Sequence, residues 1–270
     1  CSSRGLGDVY KRQVFIGHQC GQSLNSSNTL NTGILNTYVG AQCGHHNTSG
    51  SSNVGIGTQC YQENEMSGDD NVAIGMQSLF RNTSGNSNVS IGFQSLHTNT
   101  TGYSNVVIGK DASSSSISSF SNVIIGLNAF QNTTQGNENV SIGVSTGQFF
   151  QSKNNLGTFN SLNVFIGHAC GQGISQSIPN SGIFNTFIGT QCGMENSSGD
   201  KNTCIGFQVM HFARAGGLAN GIKIGNSGDE NTAMGSSCLH KNMDGNQNVA
   251  IGSESLFNNA SVISSKSQNP

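Results

Sequence analysis

The chain has 270 residues, a formal net charge of −2, 33% hydrophobic and 9% charged residues, 37 Gly, two Pro and no Trp. This balance leaves no basic stripe for a nucleic acid, and no run reaches the roughly 18 apolar residues that a membrane span needs. An ordinary globular core is also excluded, unless the sparse apolar residues recur in register and are buried together.

Cys1 to Gln13 (C-S-S-R-G-L-G-D-V-Y-K-R-Q) lies outside the pattern that follows and lacks the apolar stretch of a signal peptide. Residues 1–13 read as a non-native, adapter-derived segment. From Val14 to Phe257 the chain repeats. Asn71-Val72-Ala73-Ile74-Gly75 returns 17 residues later as Asn88-Val89-Ser90-Ile91-Gly92, and again from Asn105, Asn122 and Asn139.

With the glycine as landmark there are fourteen copies, at Gly17, Gly40, Gly57, Gly75, Gly92, Gly109, Gly126, Gly143, Gly167, Gly189, Gly206, Gly225, Gly235 and Gly252, of which Gly225 is irregular. Ile, Val or Met precedes each glycine, and a β-branched residue stands two places earlier. Four places before the glycine, Asn fills twelve of the fourteen copies, Gln13 and Gly221 being the exceptions. The repeat is too short for two helices and has strand periodicity. It predicts an all-β fold, a parallel β-solenoid (β-roll) of about fourteen 17-residue coils with insertions leaving as side loops. Stacking superimposes Val on Val, Ile on Ile and Asn on Asn, so the first two columns are expected to form the core and the third an amide ladder.

The residue between the Val and Ile columns then faces away from that core. Its occupants include Phe15, Tyr38, Val107, Ile124, Phe165 and Phe187, which read as a second buried surface against another copy of the chain. The alternative is that small residues merely suit a tight exposed strand.

Three residues after the landmark glycine, Cys20, Cys43, Cys60, Cys170, Cys192 and Cys238 share a column that Ser78, Ser95, Ala112 and Ala129 fill in other copies. Adjacent coils would place Cys20, Cys43 and Cys60 in one stack and Cys170 beside Cys192, close enough for cross-coil disulfides. Free buried thiols fit the same positions. No C-x-x-C pair or matching His spacing points to a metal, and no cofactor motif occurs.

Glycosylation sequons stand at Asn25, Asn47, Asn82, Asn88, Asn99, Asn132, Asn139, Asn196 and Asn259. Asn88 and Asn139 belong to the ladder column and are poor acceptors. The others are candidate acceptors, and five of them, Asn47, Asn82, Asn99, Asn196 and Asn259, lie seven residues after the glycine in a polar turn.

Insertions fall at 23–32, 148–162, 173–181 and 214–231 and are candidate recognition loops. Val14-Phe15-Ile16-Gly17-His18 is repeated at Val164-Phe165-Ile166-Gly167-His168, and Gly33-Ile34-Leu35-Asn36-Thr37 has its counterpart at Gly182-Ile183-Phe184-Asn185-Thr186. The solenoid domain, 14–257, thus divides into a super-repeat of about 150 residues (14–163) and a partial second copy (164–257). Residues 258–270 form a tail, and the chain reads as a segment of a longer array.

The unit Asn71 to Ser87, N-V-A-I-G-M-Q-S-L-F-R-N-T-S-G-N-S, resembles the repeats of phage and bacterial tail-fibre proteins and, more loosely, the head repeats of trimeric autotransporter adhesins. The resemblance implies a β-roll, often trimeric, that projects from a cell or virion. The expectation is a non-enzymatic structural fibre on an extracellular, cell or virion surface, serving attachment or receptor binding. Its expected partners are copies of itself, as a trimer or an end-to-end filament, together with surface glycans or a receptor. Neither nucleic acid nor membrane insertion is expected. Two rivals are an ice-binding solenoid, disfavoured if Thr37, Thr186, Thr203 and Thr232 are core residues, and a polysaccharide-acting β-helix, which would need a carboxylate-rich groove.

Overall fold

The computed structural model describes residues 12–22, 32–62, 66–151, 161–175, 179–211, 227–242 and 245–258. Each coil contributes one short strand: β1 Val14–Ile16, β2 Thr37–Val39, β3 Val54–Ile56, β4 Val72–Ile74, β5 Val89–Ile91, β6 Val106–Ile108, β7 Val123–Ile125, β8 Val140–Ile142, β9 Val164–His168, β10 Thr186–Thr190, β11 Thr203–Phe207, β12 Thr232–Ser236 and β13 Val249–Ile251. The thirteen strands form a single sheet in sequence order, each parallel to the next. Twelve steps at the parallel spacing of about 4.8 Å give a sheet roughly 58 Å long.

Register follows the repeat. Val54 pairs with Val72 and Ile56 with Ile74. The insertions do not disturb it: Val140 pairs directly with Val164 and Thr203 with Thr232. The described residues hold thirteen strands, in keeping with the expected solenoid of about fourteen coils. β11 meets β12 with no strand between them, and the irregular copy ending at Gly225 lies outside the described residues.

The structure reverses the expected faces. The second residue of each strand, between the Val and Ile columns, is the inward one: Tyr38, Ala73, Val107, Phe165, Phe187 and Cys204 have no exposed surface, Ile124 has 1%, and Phe15 in the first coil is half-buried. The Val and Ile columns point outward, with Ile16 at 59% and Ile56 at 42% exposure. Period-2 alternation separates two faces without saying which is inside. The turn after each strand decides it, by folding the third and fourth residues after the glycine beneath the inward strand residue. Leu79, Leu96, Phe130 and Leu239 are buried there with the Cys column.

The landmark glycine makes this turn possible. Its φ lies between +112° and +143° in every described coil, and a Cβ on Gly40 would stand 2.3 Å from the carbonyl oxygen of Gly57 in the next coil. Only glycine allows that conformation and approach together.

The Asn ladder forms as the repeat predicts. Asn88 Nδ2 donates to Asn71 Oδ1 at 3.0 Å and to the Gly102 carbonyl at 2.8 Å. Its own Oδ1 accepts from the backbone N–H of Asn105 at 3.1 Å and from Asn105 Nδ2 at 2.9 Å. Each buried amide therefore satisfies backbone groups on its neighbours that water cannot reach. Gln13 takes the equivalent place in the first coil, donating through Nε2 to the carbonyl of Gly33.

Candidate interaction surface

The outward face is built from three columns. Val14, Val54, Val72 and their equivalents, with Thr37, Thr186, Thr203 and Thr232, form the first. Ile16, Val39, Ile56, Ile74 and their equivalents form the second. The residue after the landmark glycine adds a third, in which Met76 (45% exposed), Phe93, Leu127 and Val144 continue the apolar surface over coils 4 to 8. Lys110 interrupts this column, its Nζ lying 5.8 Å from the Phe93 ring centroid. His18 and His168 occupy the same column and are exposed.

A glutamine ladder borders the face. Gln42 Nε2 donates to Gln19 Oε1 at 3.0 Å, Gln59 to Gln42 at 3.1 Å, Gln77 to Gln59 at 3.2 Å and Gln94 to Gln77 at 2.8 Å. All five hold φ between +52° and +56°. The ladder is uncharged over coils 1 to 5, and Asp111 takes the same position in coil 6.

Five of the six residues expected to face another copy lie instead inside their own chain. Tyr38, Val107, Ile124, Phe165 and Phe187 are buried within their own chain, and Phe15 is half-buried, stacked on Tyr38 at 5.4 Å between centroids. Phe165 and Phe187 stack likewise at 5.5 Å. A coil's inward strand residue and the residue six places later share one volume. Where the first is Phe or Tyr the second is Gly (Phe15/Gly21, Tyr38/Gly44, Phe165/Gly171, Phe187/Gly193), and where the first is Ala or Ser the second is often Leu (Ala73/Leu79, Ser90/Leu96, Ala233/Leu239).

The turn sequons are corrected as well. Asn47, Asn82, Asn99 and Asn196 have no exposed surface, and each donates Nδ2 to the carbonyl of the glycine three residues on, at 2.8 to 3.1 Å. A glycan would require that amide to leave the interior. Asn88 and Asn139 are buried in the ladder. Asn132 is half-buried, while Asn25 and Asn259 lie outside the described residues.

The cysteine column is buried apart from half-buried Cys20. Its members differ in direction. Cys20 Sγ donates to the Tyr38 carbonyl at 3.1 Å, Cys170 to the Phe187 carbonyl at 3.0 Å and Cys192 to the Cys204 carbonyl at 3.0 Å. Cys43 Sγ instead lies 2.6 Å from Cys60 Sγ. Burial pushes the Cys20 thiol up to about 11 and raises Cys192 further. Among the described residues no group of three or more His, Cys, Asp or Glu is placed to hold a metal ion, and no helix is long and apolar enough to cross a membrane.

Comparison with protein-family models, with curated proteins and with solved structures found no match to this chain.

Proposed function

We propose that the chain is a non-enzymatic structural rod that associates side by side with copies of itself through its Val/Ile face, forming a surface fibre used for attachment. One observation carries this reading: a thirteen-stranded, wholly parallel sheet has one face covered by its own coils and the other, apolar face open. In α/β proteins all-parallel sheets are covered on both faces. A stripe about 58 Å long and roughly 10 Å wide offers about 600 Å², the upper end for the largest patch on a typical monomer. Covered by an equal stripe on a second copy it would bury about 1,200 Å² in total, at the lower edge of specific protein interfaces. Assembly as a trimer, and attachment as its purpose, rest on the resemblance to tail-fibre and adhesin-head repeats.

Light scattering and electron microscopy of the intact chain test this. Wild type should be a lateral oligomer, and Ile74→Asp with Ile108→Asp should release monomers that keep the β circular dichroism of the parent. A wild-type chain that stays monomeric at micromolar concentration overturns the reading.

A second reading gains support from the corrected faces. Thr186, Thr203 and Thr232 are not core residues but stand in consecutive register on the outward face, where repeated hydroxyls and methyls can order water. Inhibition of ice recrystallisation by the purified chain, lost on Thr203→Tyr, would replace the fibre reading with an ice-binding one.

A further inference from the structure

Cys43 and Cys60 bring their sulfurs to 2.6 Å of each other, and Cys60 Sγ also reaches the Gly57 carbonyl at 3.3 Å. They occupy the same place in coils 2 and 3, whose strands pair Val39 with Ile56, and the Gly44 N–H donates to the Cys60 carbonyl at 3.1 Å. The parallel spacing of about 4.8 Å lies within the Cα separation of disulfides. A separation of 2.6 Å is well inside the contact distance of two unbonded sulfurs.

Gly55 supplies the space. It is the glycine of the inward strand column, and a Cβ there would stand 2.7 Å from Cys43 Sγ and 3.3 Å from Cys60 Sγ. Coils 9 and 10 differ: Phe165 and Phe187 fill the inward column, and Cys170 and Cys192, whose side chains also interact with each other, each donate to a backbone carbonyl of the following coil at 3.0 Å.

We propose that Cys43 and Cys60 form a disulfide that staples coil 2 to coil 3, while Cys20, Cys170 and Cys192 remain thiols. In this step the two thiols lose their protons and a bond forms between the sulfurs. The two electrons pass to a small disulfide oxidant such as oxidised glutathione, whose own sulfur–sulfur bond breaks to give two thiols. Both cysteines are fully buried once the coils close, so exchange takes place before closure. The bond closes a loop across 17 positions of sequence and restricts the unfolded chain. This inference is independent of the fibre reading, which stands whether or not the bond forms.

The test is a thiol count on the full chain, refolded in a glutathione redox buffer and, separately, secreted from an oxidising expression host. After alkylation in denaturant, six of the eight cysteines should take label. Thermolysin peptides on either side of Val54 should remain joined until reduced. Cys20→Ser should leave that link intact, whereas Cys43→Ser should label at all of its remaining cysteines. The denaturation midpoint of wild type should fall on reduction, and that of Cys43→Ser should not respond. Eight labels in both preparations overturn the proposal, as does a Cys20–Cys43 or Cys170–Cys192 link in comparable yield.

Discussion

The Tyr38 ring occupies the space that a side chain on Gly44 would need: a Cβ built at Gly44 stands 2.3 Å from Cδ2 of Tyr38. Gly193 and Phe187 repeat the relationship, with a Cβ contact of 2.2 Å. At the same position in coil 4, Leu79 holds φ +52° and is buried over Ala73. The backbone there tolerates a side chain, so the ring and not the dihedral excludes one at Gly44.

Gly44→Ala should therefore destabilise the chain by about 3 kcal/mol through overpacking. Tyr38→Ala should cost about 4 kcal/mol through the cavity it leaves. The double variant Tyr38→Ala with Gly44→Leu copies the Ala73–Leu79 pair and should cost much less than the sum. Denaturant midpoints of the three variants measure this coupling, and simple additivity would show that the two positions do not share a volume.

Asn88→Ala removes two donated bonds and leaves the buried N–H of Asn105 without its acceptor. A loss of about 3 kcal/mol is expected, at the upper end for one unsatisfied buried group. Hydrogen exchange should show faster opening at Asn105 and its neighbours than in distant coils.

The His residues set a pH dependence. Burial first, then the neighbouring His240, lowers His211 from the ordinary 6.5, and burial first, then Lys241, lowers His240. Burial and then His46 lower His45 in the same direction. The unfolded chain thus takes up protons that the folded chain refuses. This contribution is fully present above the unfolded value of 6.5 and is lost as pH falls through the lower folded values. His240 stacks on Phe257 at 4.7 Å, so the last coils should loosen first on acidification. Stability measured between pH 7.5 and pH 5 (chosen conditions, spanning roughly the His range) should fall, and His211→Gln should flatten the slope.

When the chain is secreted from a eukaryotic host, Asn47, Asn82, Asn99 and Asn196 should be unmodified in folded material, because their amides hold the turns from inside. Enzymatic deglycosylation, which leaves Asp at occupied sites, followed by mass spectrometry reads this position by position. Occupancy at Asn82 in folded protein would contradict its burial.

The sequence by itself determined the strands, their parallel register, the landmark glycines and the Asn ladder, because each repeats every 17 residues and stacking turns repetition into contact. It also held a signal for the inward face in the size exchange between Tyr38 and Gly44, or Ala73 and Leu79, a spacing of six that strand alternation alone does not reveal. Only the tertiary structure decided which face is inside and which cysteine meets which. Those outcomes depend on where the turn returns the chain: it buries Tyr38 and leaves Ile56 outward, and it brings Cys43 onto Cys60 above Gly55 while turning Cys170 toward a carbonyl. Alternation fixes two faces equally well in either sense, and packing against the rest of the coil breaks the tie.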